Sequence, residues 1–457
     1  SVINLINTIM GTGMLSMAYA FAAVGLLGGT LLVVISAAAT WFSLRLLISS
    51  ARLAHGPHPL QEPSYGSLAA LTIRSKFGRI VVDLIVAVSC MGMASSYIVA
   101  IGDVMPRFIA DILGIDSVDP SMGMLSLSMG EPHAFWIRIL LSRQFWMIAF
   151  LFVLVPLSMQ FTIDDISWFS TTCLGFALYL AAVVLWASFT IGRKPDDDTP
   201  TSDHTAREPL PLFLFSERWL EVLPIFVFAF TCQQNLFSIF GELKESKAKY
   251  IGRVIDSAVI ATAAIYLIVG LAGYYTFGAA CDGNIINNWP MSVARLAFAG
   301  LAALSYPIQV HPCRLTSIDS PAPSMTPVAV APPTLAAALL EVDPYTRTYL
   351  TVRWYLRYMI GLGPWNRSDD RSVVLTTIIV CTTYIMVMSV IYLDEVLAFV
   401  GATGGTLVCY IIPALFYHRI IFQSSRNKIG AWKHVGALTM ATTGCVCGIL
   451  GLLYSWL

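Results

Sequence analysis

The sequence has little charge, and what it has is balanced. Only 12% of its 457 residues are Asp, Glu, Lys or Arg, whereas 57% are hydrophobic. A soluble globular protein has about a quarter of its residues charged, so water cannot be the main solvent of this chain. Lys plus Arg and Asp plus Glu both number 27, which leaves no overall basic field to attract nucleic acid. The composition indicates an integral membrane protein. Any partner besides the lipid bilayer must then bind in a pocket.

Residues that would support other membrane functions are also missing. The seven histidines fall in predicted loops or at helix ends, which leaves no His or acid cluster at membrane depth for an enzyme such as an acyltransferase. No charged ring or repeated filter motif indicates a channel. Of nine cysteines only Cys281 lies in a predicted outer loop, so no disulfide is expected. Cys445 and Cys447 point to different faces of one helix, and we expect no metal site and no cofactor.

Eleven apolar stretches are long enough to cross the hydrocarbon core as helices, which takes about 20 residues each. The predicted spans are 2–23, 26–52, 80–112, 143–161, 165–191, 219–241, 254–278, 293–312, 372–392, 395–418 and 434–456. Because these spans recur along the whole chain, we expect one transmembrane domain over residues 1–457. The predicted fold class is an all-α polytopic membrane protein.

The distribution of Lys and Arg predicts the orientation of the chain. Most of the 27 basic residues fall on the side where the first span begins, and the positive-inside rule places that side in the cytoplasm. The longest connection, about residues 313–371, is then cytoplasmic. Its Pro- and Ala-rich part, 320–334, predicts a flexible linker, which is either an insertion without function or a regulatory docking segment.

The first span contains polar residues and glycines at mid-membrane depth. Gly11 and Gly13 flank Thr12 and weaken the helix, while Asn7 and Thr8 add polar groups that lipid would not tolerate. Interrupted helices occur in bilayers where the freed backbone groups line a cavity, and there they bind substrate. The N–H groups at this break would form a seat for a carboxylate. Close packing of small residues is the alternative, although it gives Asn7 and Thr8 no role.

The sixth span carries a matching change of character. An aromatic stretch from Phe226 to Phe230 turns into the consecutive polar residues Thr231–Asn235 and then becomes apolar again. Consecutive polar residues cannot share one helix face, so this pattern predicts a second break; a snorkelling inner helix end is the alternative. Spans one and six lie five apart, as they would in two inverted five-helix repeats with an eleventh helix added.

Further polar groups in the membrane are candidates for ion coupling. Ser305 lies close to Pro307 in the eighth span, and with Asn7 it could supply oxygen ligands to a small hard cation such as sodium. Ser305 could equally bond the carbonyl one turn before it. Asp83 and Asp103 in the third span are the acids nearest the membrane interior, and they are either solvated near the helix ends or part of a proton relay.

Three segments resemble the amino acid/auxin permease family, which includes sodium-coupled neutral amino acid transporters and fungal vacuolar amino acid transporters. They are the Asn-rich start and Gly-small-Gly pattern of 4–21, the helix 295–314 ending in Tyr-Pro-Ile-Gln-Val-His-Pro-Cys-Arg, and the glycine-rich 399–417. The resemblance covers nearly the whole chain. This chain lacks the proline that the family has near Met17–Ala20.

The resemblance implies a LeuT-like fold of eleven helices with the amino acid held between helices one, three, six and eight. In sodium-coupled members an Asn in helix one and a Thr in helix eight serve the cation, and these positions match Asn7 and Ser305. A second family Thr falls at Ala303 here, which favours protons, as in the vacuolar branch. We therefore expect a vacuolar or lysosomal membrane rather than the plasma membrane.

These observations lead to the hypothesis of a secondary active transporter that moves amino acids, neutral ones in the first place, by alternating access on a proton or sodium gradient. A non-transporting amino-acid receptor on the same fold is the alternative. Asn7 and Ser305 are the candidate ion ligands. Tyr97 and Phe230 would close over the substrate side chain. The candidate substrate-binding residues are Thr8, Gly11, Thr12, Gly13, Tyr97, Phe230 and Thr231.

Overall fold

The computed structural model describes most of the chain, and every structural statement below concerns the described residues. These are residues 1–55, 64–73, 75–114, 135–160, 166–192, 210–214, 218–241, 249–289, 292–318, 367–388, 392–423 and 431–455. Within these ranges the regular structure is helical, without strands. The linker predicted at 320–334 lies outside them.

Each predicted span overlaps at least one α-helix. The helices are α1 (Val2–Ile9), α2 (Met17–Val24), α3 (Leu26–His55), α4 (Tyr65–Thr72), α5 (Lys76–Leu113), α6 (Phe135–Leu140), α7 (Arg143–Gln160), α8 (Ile166–Ile191), α9 (Arg218–Ala229), α10 (Leu236–Gly241), α11 (Ile251–Phe277), α12 (Ser292–Ile318), α13 (Arg367–Val387), α14 (Leu393–Val400), α15 (Ile412–Gln423) and α16 (Ala431–Ser455). The connection predicted at 313–371 is shorter at both ends, because α12 continues to Ile318 and α13 begins at Arg367.

Eight helical stretches of the described chain are long and apolar enough to cross a membrane, and two shorter apolar helices accompany them. The first predicted span is absent from this group because α1 and α2 are separate helices of 8 residues each. The chain is therefore a multi-pass membrane protein. The sequence predicts eleven crossings, and that number remains a prediction.

Burial separates central helices from peripheral ones. In the stretch Arg218–Gly241 89% of the apolar window is buried, whereas the figure for Lys433–Leu453 is 28%. Large apolar side chains cover the outside, and Phe152 and Phe189 are 76% and 80% exposed. An exposed apolar surface of this kind fits acyl chains rather than water. The helices that carry the predicted breaks, α1, α2, α9 and α10, thus lie at the centre of the bundle.

Ion pairs join several of the long helices. Asp103 of α5 lies 3.6 Å from Arg143 of α7, with both side chains at most 10% exposed. Asp111, near the same end of α5, pairs with Arg295 of α12. Arg45 of α3 pairs with Asp256 of α11 at 2.6 Å, and both side chains are more exposed. The pairs of Asp103 and Asp111 hold α5 against α7 and α12.

The helix between α14 and α15 is continuous but widens into π-helical turns over 401–411. Glycines on this stretch allow backbones to meet. A Cβ on Gly401 would lie 2.0 Å from the carbonyl oxygen of Pro224 in α9, and one on Gly404 would lie 2.8 Å from the Cα of Ser89 in α5. These contacts press the π-helical stretch against the two helices that flank the centre.

Candidate functional site

The first break separates α1 from α2. α1 ends at Ile9, and a short 3₁₀ turn, Thr12–Met14, precedes α2. Gly11 adopts φ −36° and ψ −149°, outside the helical region. In a helical turn each N–H bonds to a carbonyl that lies earlier in the chain. The N–H groups of Gly11, Thr12 and Gly13 stand at the start of the turn, so the turn has no earlier carbonyl to accept them. The structure therefore presents, at the centre of the bundle, the donor group that the sequence predicts as a carboxylate seat.

The second break follows α9. After Ala229 the chain makes a turn, and Cys232 adopts φ −145° and ψ 0° before a 3₁₀ turn, Gln233–Asn235, leads into α10. The side-chain oxygen of Gln233 accepts the N–H of Cys232 at 2.9 Å. A carboxamide thus satisfies a backbone group that the interruption frees. Of the consecutive polar residues, Thr231 and Gln233 bond to backbone groups of this segment.

The two breaks are in direct contact. A Cβ on Gly13 would lie 2.6 Å from the Cα of Ala229, so only glycine fits there. The hydroxyl of Tyr266, in α11, lies 2.6 Å from the carbonyl oxygen of Ile9 and 2.8 Å from that of Ala229. These carbonyls are the last of α1 and of α9. Tyr266 therefore bridges the ends of both interrupted helices.

α5 forms another wall of the first break. The hydroxyls of Thr12 and Ser96 lie 2.7 Å apart, and Ser96 also donates to the carbonyl of Met93. A Cβ on Gly11 would lie 2.7 Å from the Tyr97 hydroxyl. That hydroxyl is buried and has no hydrogen-bond partner among the described residues. Tyr97 therefore lies directly beside the backbone of the first break.

The candidate ion ligands Asn7 and Ser305 meet at a third side chain. Ser305 donates to the sulfur of Cys173, in α8, at 3.4 Å, and the thiol lies 3.9 Å from the carbonyl of Leu301. The Asn7 side chain lies beside the same thiol. Ser305 thus bonds across to α8 rather than to the carbonyl one turn before it. Thiol, hydroxyl and carboxamide groups converge here.

Three predicted substrate residues have contacts other than the one between α5 and the first break. Thr8 donates to the carbonyl of Asn4 at 2.8 Å, and Thr231 donates to the carbonyl of Val227 at 2.8 Å. The Phe230 ring packs edge-on against Tyr266 at 5.1 Å. The structure therefore brings Gly11, Thr12, Gly13 and Tyr97 together and places the other three on neighbouring faces.

A carboxamide cluster lies beside the second break. The side-chain nitrogens of Gln234 and Asn235 lie 3.3 Å and 3.2 Å from the side-chain oxygen of Gln309 in α12. Gln234 also contacts the sulfur of Met93 at 2.7 Å. Tyr97 lies close to Gln309 and Ser305, so this cluster connects the substrate and ion candidates. All the residues involved are uncharged.

A cavity of about 820 Å³ lies between α5, α9 and α14. It is lined by the acids Glu221, Asp394 and Glu395. Tyr19 donates to Glu221 at 2.9 Å and thereby connects α2 to the rim of this cavity.

Sequence reasoning misses four of the residues that build the site. Tyr266 carries a phenol hydroxyl in an apolar part of α11, and such a group must find an acceptor in the membrane; that is the signal that could have identified it. Ser96 stands in the polar sequence Ser95-Ser96-Tyr97, which is unusual at mid-span. Cys173 and Gln309 have no comparable local signal.

Comparisons with known proteins identify the family of the chain. The family described as "Transmembrane amino acid transporter protein" matches residues 1–456, nearly the whole chain. The chain therefore belongs to this family of transmembrane amino acid transporters. The resemblance to the amino acid/auxin permeases that the sequence motifs indicate is thereby confirmed.

Individual relatives come from fungi and animals. Vacuolar amino acid transporter 5 of Schizosaccharomyces pombe is 32% identical over 92% of this chain and 83% of its own length. Vacuolar amino acid transporter 6 of Saccharomyces cerevisiae is 29% identical over 94% of this chain and 91% of its own length. Solute carrier family 38 member 10 of Rattus norvegicus is 25% identical over 96% of this chain but only 35% of its own length.

Proposed function

We propose that the chain is a secondary active transporter that carries neutral amino acids across the vacuolar or lysosomal membrane by alternating access. The observation that carries the proposal is the bridge of Tyr266 to the carbonyls of Ile9 and Ala229, which places two helix breaks side by side at the bundle centre. Paired breaks in spans one and six are what two inverted five-helix repeats of a LeuT-like fold would supply. The vacuolar relatives support the location.

The proposed substrate lies between the two breaks and α5. Its carboxylate would accept hydrogen bonds from the N–H groups of Gly11, Thr12 and Gly13. Its ammonium would donate to carbonyls of the second break, since each carbonyl oxygen has two acceptor sites. Tyr97 would close over the side chain. The hydroxyl, thiol, carboxamide and aromatic side chains around the breaks carry no charge, which favours a neutral substrate.

Protons are the proposed coupling ion. Sodium binds hard oxygen ligands, whereas the side chain between Asn7 and Ser305 is the soft thiol of Cys173. Ala303, on the same helix as Ser305, offers no hydroxyl. A pH difference of about 1.5 units supplies about 2 kcal/mol per proton, enough for roughly a 30-fold gradient of a neutral solute. One proton per substrate is therefore sufficient.

Uptake into proteoliposomes tests the proposal. Purified protein is reconstituted, and accumulation of a labelled neutral amino acid mixture is measured with an imposed proton gradient, with a sodium gradient, and with neither; protein-free liposomes are the control. We expect accumulation with the proton gradient alone. Saturable binding without flux under any gradient would contradict the proposal and indicate the receptor, and accumulation with sodium alone would contradict the coupling ion.

A further inference from the structure

A groove runs between α15 and α16 at the membrane end where α15 finishes and α16 begins. The cavity measures about 470 Å³. Small side chains, Ala414, Ala437 and Ala441, leave the space, and larger apolar ones flank it. Phe422 and Leu438 at its edge are 82% and 58% exposed. The walls therefore have the apolar character that an acyl chain needs.

The rim of the groove is basic. His418 and Arg419 line it, and the ring of His434 lies 4.9 Å from that of His418. Lys433 directly precedes His434 at the start of α16. Because the sequence from Val396 to the C-terminal residue contains no Asp or Glu, the two helices bring no carboxylate to this rim.

The helices behind the groove do not neutralise this charge either. α15 packs against α3 and α4 as well as α16. Neither of these two helices contains an acidic residue. None of the helices packed against α15 here therefore brings a carboxylate that could neutralise the basic rim.

The depth of these groups matches the layers of a bilayer. His418 and Arg419 lie within five residues of the end of α15, which corresponds to about 8 Å or less along the helix. Ile411 and Ala441 lie deeper, at the level of acyl chains. Basic pockets between transmembrane helices at the cytoplasmic surface suit anionic head groups. The groove therefore offers a guanidinium group and two imidazole rings at head-group depth and an apolar wall below them.

We propose that the groove between α15 and α16 binds one anionic phospholipid, with its phosphate on Arg419 and the His418–His434 pair and one acyl chain along Leu438 and Ala441. This binding is separate from the proposed amino-acid site, because none of these residues belongs to either break. Its presence or absence therefore does not depend on whether the chain transports amino acids.

Native mass spectrometry of the purified full chain tests the proposal. The delipidated protein is titrated with dioleoyl phosphatidylglycerol and, in parallel, with dioleoyl phosphatidylcholine. We expect a phosphatidylglycerol adduct at a concentration at which phosphatidylcholine gives none. Arg419→Gln should weaken that adduct about tenfold, as the loss of a charge-assisted contact does. Arg253→Gln is the matched control, since Arg253 is exposed at the start of α11 on the same predicted side.

Two further measurements separate the head group from the acyl chain. Ala441→Trp fills the groove and leaves the basic rim intact, so it should abolish the adduct while the folded mass is retained. Glycerol phosphate should fail to displace the lipid at equal concentration. Equal binding of the two lipids, equal effects of Arg419→Gln and Arg253→Gln, displacement by glycerol phosphate, or a lipid-free dimer that covers the groove would each overturn the proposal.

Discussion

The backbones of Gly13 and Ala229 touch, although the two residues lie in separate interrupted helices. A Cβ on Gly13 would lie 2.6 Å from the Cα and 2.8 Å from the Cβ of Ala229. Both are atoms that no side-chain rotation can move. The two breaks can therefore touch only because residue 13 has no side-chain methyl group.

Gly13→Ala should force the breaks apart. Overpacking of this kind costs about 1–3 kcal/mol, so we expect a lower thermal midpoint in detergent and a loss of uptake. Gly175→Ala is the control, because Gly175 lies in α8 with nothing within 4 Å of its Cβ position, and there alanine should gain up to about 1 kcal/mol. Equal midpoints for the two variants would show that the contact does not constrain the breaks.

Gly11→Ala should be rescued by a second substitution. The new Cβ would lie 2.7 Å from the Tyr97 hydroxyl oxygen but 3.5 Å from the adjacent ring carbon, an ordinary contact. Removal of the oxygen in Gly11→Ala/Tyr97→Phe should therefore restore the folded, monodisperse yield on size exclusion. Tyr97→Phe alone should retain a folded yield, since the buried ring keeps its packing. A double variant as defective as Gly11→Ala would exclude this clash as the cause.

Tyr266→Phe should impair transport while preserving the fold. It leaves a buried carbonyl without its donor, at a cost of about 1–3 kcal/mol. We expect a reduced initial rate of proteoliposome uptake and a lower thermal midpoint. Tyr275→Phe, on the same helix at 48% exposure, should change neither. The bridge would have no functional role if both variants transported at the unmodified rate.

Cys173→Ser should introduce sodium dependence. The substitution replaces a soft sulfur with a hard oxygen between Asn7 and Ser305, and Ala303→Thr adds a second hydroxyl on α12. For the double variant we expect sodium to bind about tenfold more tightly, or about 1.4 kcal/mol, measured as sodium-stimulated uptake. Cys90→Ser, which changes a buried thiol of α5 elsewhere, serves as the control. Sodium-independent uptake by the double variant would argue against a cation position here.

Asp103→Asn should destabilise the protein far more than Asp256→Asn. The Asp103–Arg143 side chains are at most 10% exposed, and breaking a buried pair costs about 3–5 kcal/mol. The Arg45–Asp256 pair is shorter, at 2.6 Å, but its side chains are 41% and 38% exposed, which limits its contribution to about 0–1 kcal/mol. Thermal midpoints in detergent measure both. Similar losses would mean that burial does not decide the strength of these pairs.

The sequence predicts the helix positions and both breaks because each depends on local chemistry. Apolar runs of bilayer length allow few structures other than helices. Glycines around Thr12 and the consecutive polar residues 231–235 weaken a helix wherever it packs. The predicted spans accordingly overlap α-helices, with ends that differ by several residues where Lys76 and Ile318 extend them into the connections.

The sequence does not predict the partner of each polar side chain, because that partner depends on which helix lies opposite. The sequence makes Ser305 a candidate for a hydrogen bond to the carbonyl one turn before it. Thr8 and Thr231 make that kind of bond, and Ser305 does not. Ser305 bonds to Cys173, a partner more than a hundred residues earlier in the chain. Tyr266 is missed for the same reason. Residues that connect distant helices have no periodic pattern that reveals their partners.

The hydroxyl of Tyr266 holds one hydrogen atom but lies within bonding distance of two acceptors, the carbonyl oxygens of Ile9 and Ala229. It can donate to only one of them at a time. The ends of α1 and α9 consequently compete for a single donor, and the two outcomes differ only by a rotation about one C–O bond. An ammonium group bound between the breaks would supply a second donor. Both carbonyls would then be hydrogen-bonded at once, so substrate binding itself would change the bonding at the ends of both helices.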